Sequence, residues 1–248
     1  METSPYIVVV MLAALSGITT VIGVLMAIYV SRNVKWIALG IGFSVGIMLL
    51  IALLELIPES LAEAELVNVV VAAVLGAGLI GVLHYIIPHT HLIKERGVFG
   101  DHLLRTAYLV VFGLILHDFP EGFAMANAYI TSPSLGIAVA LAIALHNIPE
   151  EFAMAVPVVA SRSRVFLFQA ALLSASAEPI GAVIGLFAAN AHPHLVPLFM
   201  SFAAGAMIFV SLHELVPMAK RYGRLRFFAV GLSLSVVVYA LLGLLLPE

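Results

Sequence analysis

There is no cysteine among the 248 residues. That excludes a disulfide framework and any thiolate metal site. Charge is scarce as well. Asp, Glu, Lys and Arg make up 10% of the chain, against about 25% in a soluble domain. Apolar residues take their place: 63% of the chain is hydrophobic and the mean hydropathy is +1.16. A polytopic membrane protein is expected, with the lipid bilayer as its main partner and no role for nucleic acid. Long linkers and low-complexity tracts are lacking too, so a single integral domain over residues 1–248 is the simplest account. The opening METSPY has no basic stretch ahead of the apolar run from Ile7. That favours a span over a cleaved leader.

A helix needs roughly 20 apolar residues to cross the hydrocarbon core. Eight stretches qualify: about 5–30, 36–57, 67–87, 105–130, 134–160, 165–190, 195–218 and 226–246. Backbone groups in lipid need internal partners, and strand-like alternation is missing, so the fold class is all-α integral membrane with eight transmembrane helices. Basic residues are lacking from every second connection. Arg32 and Lys35 follow the first span, Lys94, Arg96 and Arg105 the third, Arg162 and Arg164 the fifth, and Lys220, Arg221, Arg224 and Arg226 the seventh. The positive-inside rule makes that side cytoplasmic and puts both termini outside.

The sequence also repeats itself. FSVGIMLLIALLELIP from Phe43 matches FAAGAMIFVSLHELVP from Phe202 in spans that run in opposite directions. LILHDFPEGFAMA, from Leu114, is echoed by IALHNIPEEFAMA, from Ile143, again in antiparallel spans. Such matches predict inverted-topology repeats, an arrangement that holds substrate near the bilayer midplane between symmetric, interrupted helices.

The doubled cluster carries the chemistry. His117 and Glu121 are four residues apart, as are His146 and Glu150, so each pair lies on one helix face. Facing each other, they bring two imidazoles and two carboxylates to one ion. Asp118 and Asn147 sit about 100° around their helices and form an adjacent layer. Pro120 and Pro149 each free a carbonyl one turn earlier, which is tolerated in lipid where it lines a wet or liganded cavity. Each central carboxylate costs on the order of 3 kcal/mol to insert, and a divalent cation offsets that cost for Asp118, Glu121, Glu150, Glu151 and Glu178. Glu178, beside Pro179, is a further metal ligand on the same argument. A proton relay or a packing network is the plainer alternative.

Other polar residues are candidates for a pathway or a secondary metal position. They are Glu151, His213 and Glu214, with Glu55 and Glu59 towards the end of span two. His84, His89 and His91 belong to a His-containing stretch whose cytosolic loop covers about 88–104, together with His102. His192 and His194 are expected to be plain surface residues. Gly42-xxx-Gly46 and Gly181-xxx-Gly185 suggest close helix packing.

HDFPEGFA, HNIPEEFA, AEPIGA in span six and SLHELVP in span seven resemble the ZIP (Zrt/Irt-like) family of divalent metal transporters, prokaryotic members most of all. The likeness runs over about residues 5–246. It implies transport of zinc into the cytoplasm, and often of iron, manganese or cadmium, as substrate and not as cofactor. It implies a non-enzymatic protein, a prokaryotic (inner) cell membrane, homodimers and an elevator-like motion of spans one, four, five and six. One metal position would use His117, Glu121, His146 and Glu150. The other would use Asp118, Asn147, Glu150 and Glu178, with Glu150 in both. Asp118 stands where the family usually has Asn. Glu150 stands where many eukaryotic members have His, and Glu151 where many prokaryotic relatives have Gly. The rival readings are an intramembrane metal-dependent hydrolase, which lacks an H-E-x-x-H motif, and a metal sensor that does not translocate.

The charge asymmetry generates a test. Single cysteines introduced at Ser132 or Ala191 are expected to react with a membrane-impermeant thiol reagent from outside. Those at Ser163 or Gly97 are expected to stay unlabelled, and the opposite pattern reverses the orientation.

Overall fold

The structure, a computed structural model, describes residues 4–29, 33–86, 101–159 and 164–245, with side chains except at 101–115, 157–159, 164 and 166. Among the described residues the chain is all-helical and forms eight helical rods. They are α1 (Pro5–Tyr29), α2 (Val34–Glu63), α3 (Leu66–Ile86), α4 (Asp101–Thr131), α5 (Pro133–Val159), α6 (164–191, broken at Ser176), α7 (Pro193–Tyr222) and α8 (Leu225–Leu245). Seven, all but α4, are long and apolar enough over their described residues to cross a membrane. The expected spans coincide with these rods, and the expected loop at 88–104 is already helical from Asp101.

Short connections force antiparallel neighbours. Only Ser132 separates α4 from α5, and residues 64–65 separate α2 from α3. Gly223 ends α7 with φ +63°, the left-handed turn that glycine adopts most cheaply. α4 and α5 form a central pair. α1 packs on α5 and α6 on α4, while α2 and α7 cover the same pair from other directions. The most extensive contacts are α2/α8, α1/α5, α4/α6 and α3/α7. α3 and α8 are the peripheral rods, with most of their apolar side chains exposed, as suits helices that face lipid.

Two rods run further than the apolar stretches predict: α2 reaches Glu63 and α7 reaches Tyr222. The reason lies in the backbone. Pro58 and Pro217 have no N–H to give the carbonyl one turn back. Just ahead of each proline the ladder widens to a π-helical turn, over Ile51–Leu56 and Ser211–Leu215. There Ile57 N–H reaches Ala52 O, and Val216 N–H reaches Ser211 O. The widened turn absorbs the lost bond and the helix continues, a local irregularity that is common at functional positions.

Helices meet closely where glycine lacks a side chain. A Cβ at Gly205 on α7 would sit 1.9 Å from Ala73 O on α3, and one at Gly76 on α3 would sit 1.9 Å from Phe202 O on α7. The contact is thus backbone against backbone on both sides, which lets dispersion forces hold α3 to α7 without a hydrophobic effect between them. Gly205→Ala should therefore destabilise the protein in detergent by about 1–3 kcal/mol. Gly78→Ala, with open space around the position, should not. Thermal unfolding of the two variants checks the contrast.

Candidate metal centre

The repeated motif places its polar groups face to face. α4 presents His117, Asp118 and Glu121, and α5 presents His146, Asn147, Glu150 and Glu151, all no more than 4% exposed. Pro120 and Pro149 interrupt the ladders at the same depth as these side chains, leaving the carbonyls of Leu116 and Leu145 without their helical donors. Ser44 of α2 donates its hydroxyl to His146 O at 3.0 Å, which ties α2 to α5 beside the site.

His146 is oriented by its other nitrogen. Nδ1 lies 2.9 Å from Ala142 O, which accepts its hydrogen and turns Nε2 towards the carboxylates. Nε2 faces Glu121 Oε1 at 3.2 Å and Glu150 Oε2 at 3.6 Å. Three electron-rich atoms at that range repel unless a cation or a proton lies among them. Ligand atoms around a tetrahedral zinc with bonds of about 2.0–2.1 Å are about 3.3 Å apart. The two distances from His146 Nε2 are close to that spacing, and all three donors lie within 4.8 Å of one another. Glu121 Oε2 and Glu150 Oε1 are buried without hydrogen-bond partners, so each carboxylate keeps ligating capacity. His117 Nε2 stands 4.0 Å from Glu150 Oε1, at the edge of this group.

A second triad adjoins the first. Oxygens of Asp118, Glu121 and Glu178 also lie within 4.8 Å of one another. Glu121 belongs to both triads, whereas the family likeness implied Glu150 as the shared residue. Glu178 is positioned by a break in α6. Pro179 cannot donate to Ala175 O, the helix interrupts at Ser176, and Glu178 falls in the first turn of the segment Ala177–Ala191. The positive end of that segment's dipole favours a carboxylate there. Asn147 donates from Nδ2 to Glu178 Oε1, and Ser174 donates to Asp118 Oδ2 at 2.6 Å. The triad of this layer is all carboxylate, a harder set than the first.

A sequence model for the family described as ZIP Zinc transporter matches residues 89–247. The chain is 37% identical to a protein named zinc transporter ZupT from Stenotrophomonas maltophilia, over 84% of each chain. It is 36% identical to another of that name from Chlorobium limicola, over 96% of this chain and 97% of the relative. It is also 38% identical to zinc transporter GufA from Myxococcus xanthus, over 69% of this chain.

The chain belongs to the ZIP family. It is a multi-pass membrane protein of a transporter family and not an enzyme, which removes the hydrolase reading. The remaining ZIP candidate residues divide into those that reach the site and those that do not. Glu214, in the π-helical turn of α7, does reach it. Its Oε2 lies 3.1 Å from His117 Nε2, and its Oε1 lies 2.5 Å from His84 Nδ1 on α3. His213 packs beside His84 with ring centroids 5.3 Å apart. A polar thread thus runs from Glu150 through His117 and Glu214 to His84, and sequence spacing gave no sign that these distant residues meet. Glu55, which matches Glu214 in the α2 repeat, turns the other way and accepts a 2.5 Å bond from Tyr239 of α8. Glu151 is buried with Oε2 lacking a hydrogen-bond partner, close to α1 at Gly23. His89 and His91 lie outside the described residues, the side chain of His102 is not described, and His192 and His194 are exposed.

Zinc added to the purified protein should raise its melting temperature, since binding to the folded state alone stabilises it. The effect should shrink as pH falls, because metal competes with protons for imidazole and carboxylate. His146→Ala and Glu121→Gln should lose most of the shift, as read by thermal unfolding with and without zinc.

Proposed function

We propose that this protein carries divalent transition-metal ions, zinc foremost, across the membrane into the cytoplasm. Its substrate would rest between α4, α5 and α6, on His117, Glu121, His146 and Glu150 and on the adjoining Asp118, Asn147 and Glu178. The observation that carries this reading is the buried convergence of Glu121, His146 and Glu150 with unpartnered carboxylate oxygens. The relatives named zinc transporters supply the substrate.

Direction follows from the basic connections, which mark the cytoplasmic side by the positive-inside rule. The thread from His117 through Glu214 to His84 leads towards the end of α3 that precedes Lys94 and Arg96, so it offers ligands on the inward route. His213 stands beside it as a further donor.

Symmetry supports alternating access. Exchanging α1 with α6, α2 with α7, α3 with α8 and α4 with α5 turns the α2/α8 contact into α7/α3, and the α1/α5 contact into α6/α4. The paired π-helical turns ahead of Pro58 and Pro217 obey the same exchange. Such an inverted repeat suits an elevator-like movement of α1, α4, α5 and α6 against α2, α3, α7 and α8. The same reading has homodimers pairing through the lipid-facing rods.

The donors are imidazole, carboxylate and amide, with no sulfur in the group. Zinc and iron suit the imidazoles, manganese and cadmium are accepted by the carboxylates, and monovalent copper is disfavoured. Magnesium keeps its waters and avoids nitrogen. In proteoliposomes Glu150→Ala should abolish zinc uptake and His117→Ala should weaken it strongly. Glu150→His should shift competition towards zinc over manganese. Normal uptake by Glu150→Ala, or magnesium as the best competitor, would overturn the assignment. Zinc binding without accumulation would instead identify a sensor.

A further inference from the structure

We infer that Thr20 and Ser16 of α1 are positioning residues that fix which end of the Asn147 amide meets the metal. This rests on the metal-transport reading above and extends it to a helix that contributes no ligand.

Asn147 Nδ2 lies 3.2 Å from Ser16 Oγ and 3.3 Å from Thr20 Oγ1, and it also donates to Glu178 Oε1. Ser16, Thr20 and Glu178 are each 0% exposed and Asn147 2%. Ser16 and Thr20 are one helical turn apart, so both face α5. Gly23 completes the stripe: a Cβ there would lie 2.6 Å from Ile148 O. That close approach is what brings two short hydroxyl side chains within reach of the amide.

The chemistry needs this control. An asparagine amide ends in one acceptor and one double donor, and its terminal torsion is broad. Only the oxygen can ligate a cation; a rotated amide would point hydrogens at it. The Glu178 carboxylate accepts one N–H. The second N–H is shared between the two hydroxyls, which have lone pairs to receive it. With both hydrogens engaged on the α1 and α6 side, Oδ1 is turned away from these three groups and is free to ligate. Ser16 also hydrogen-bonds the Glu178 side chain, so Thr20, whose hydroxyl accepts from Asn147, is the cleaner probe.

Outer partners of this kind act on affinity more than on the maximal rate. Thr20→Val keeps the shape and removes the hydroxyl. Zinc uptake by the full-length protein in proteoliposomes should show its KM raised about fivefold with little change in maximal rate, the scale of one neutral hydrogen bond. Thr20→Ser should restore the wild-type KM. In an Asn147→Ala background, Thr20→Val should add nothing further, because its effect passes through the amide. Equal KM changes in both backgrounds, or an unchanged KM in the wild-type background, would overturn the inference. If Asn147→Ala and Glu178→Ala both left zinc uptake and zinc binding normal, the adjoining metal position would fall and this inference with it; normal uptake by Glu150→Ala would instead overturn the metal reading itself. Melting temperatures are measured alongside; should Thr20→Val not fold, Thr20→Ala takes its place in the same cycle with the same criteria.

Discussion

Six carboxylates buried inside helical rods are the constraint on which the rest of this structure depends. Asp118, Glu121, Glu150, Glu151, Glu178 and Glu214 are each no more than 4% exposed. Ionised groups so placed are expensive, and a few hydrogen bonds do not offset them. What surrounds them is compensation of several kinds: histidines at 3.1–3.6 Å, hydroxyl and amide donors, and a helix N-terminus under Glu178. Several oxygens still lack partners. A divalent cation would satisfy that remainder, which is how the electrostatic problem and the proposed substrate connect.

The backbone is interrupted where the charges lie. Pro120 and Pro149 sit within the two motifs, and Pro179 breaks α6 beside Glu178. The π-helical turns before Pro58 and Pro217 hold Glu55 and Glu214. A regular helix satisfies its own backbone and presents side chains at fixed intervals. An interrupted one frees carbonyls and redirects side chains, and in lipid that is tolerated only around a polar interior. Tight packing keeps these interrupted rods together. At the α4/α6 contact, a Cβ at Gly122 would lie 2.0 Å from Glu178 O, so the carboxylate is held at the depth of Glu121 by contact between backbones.

The repeats start alike and finish differently. Glu55 and Glu214 occupy matching places in matching motifs, yet Glu214 bridges His117 and His84 while Glu55 accepts a bond from Tyr239. The partners decide. α7 meets α4 and α3, which bring histidines; α2 meets α8, which brings a phenol. One carboxylate thereby joins the polar interior and the other is capped at the periphery.

Local pattern carried much of this protein. The runs of apolar residues gave the eight rods, because a helix that must satisfy its own backbone in lipid needs length and hydropathy and little else. The spacing of His117 with Glu121, and of His146 with Glu150, gave two His–Glu pairs on single helix faces, since positions four apart share a face whatever the fold. Pattern could not assign meetings between residues far apart in the chain. The link of Glu214 to His84 and His117, the hold of Ser16 and Thr20 on Asn147, and Glu121's membership of both triads depend on which rods touch and at what rotation. Nor did it show the π-helical turns that carry α2 and α7 past their prolines, because hydropathy does not record a shifted hydrogen-bond ladder. Rods and the chemistry on each face were legible in residue order alone. Which faces meet is set by packing, where glycines and small residues spread over the whole chain let particular backbones close on one another.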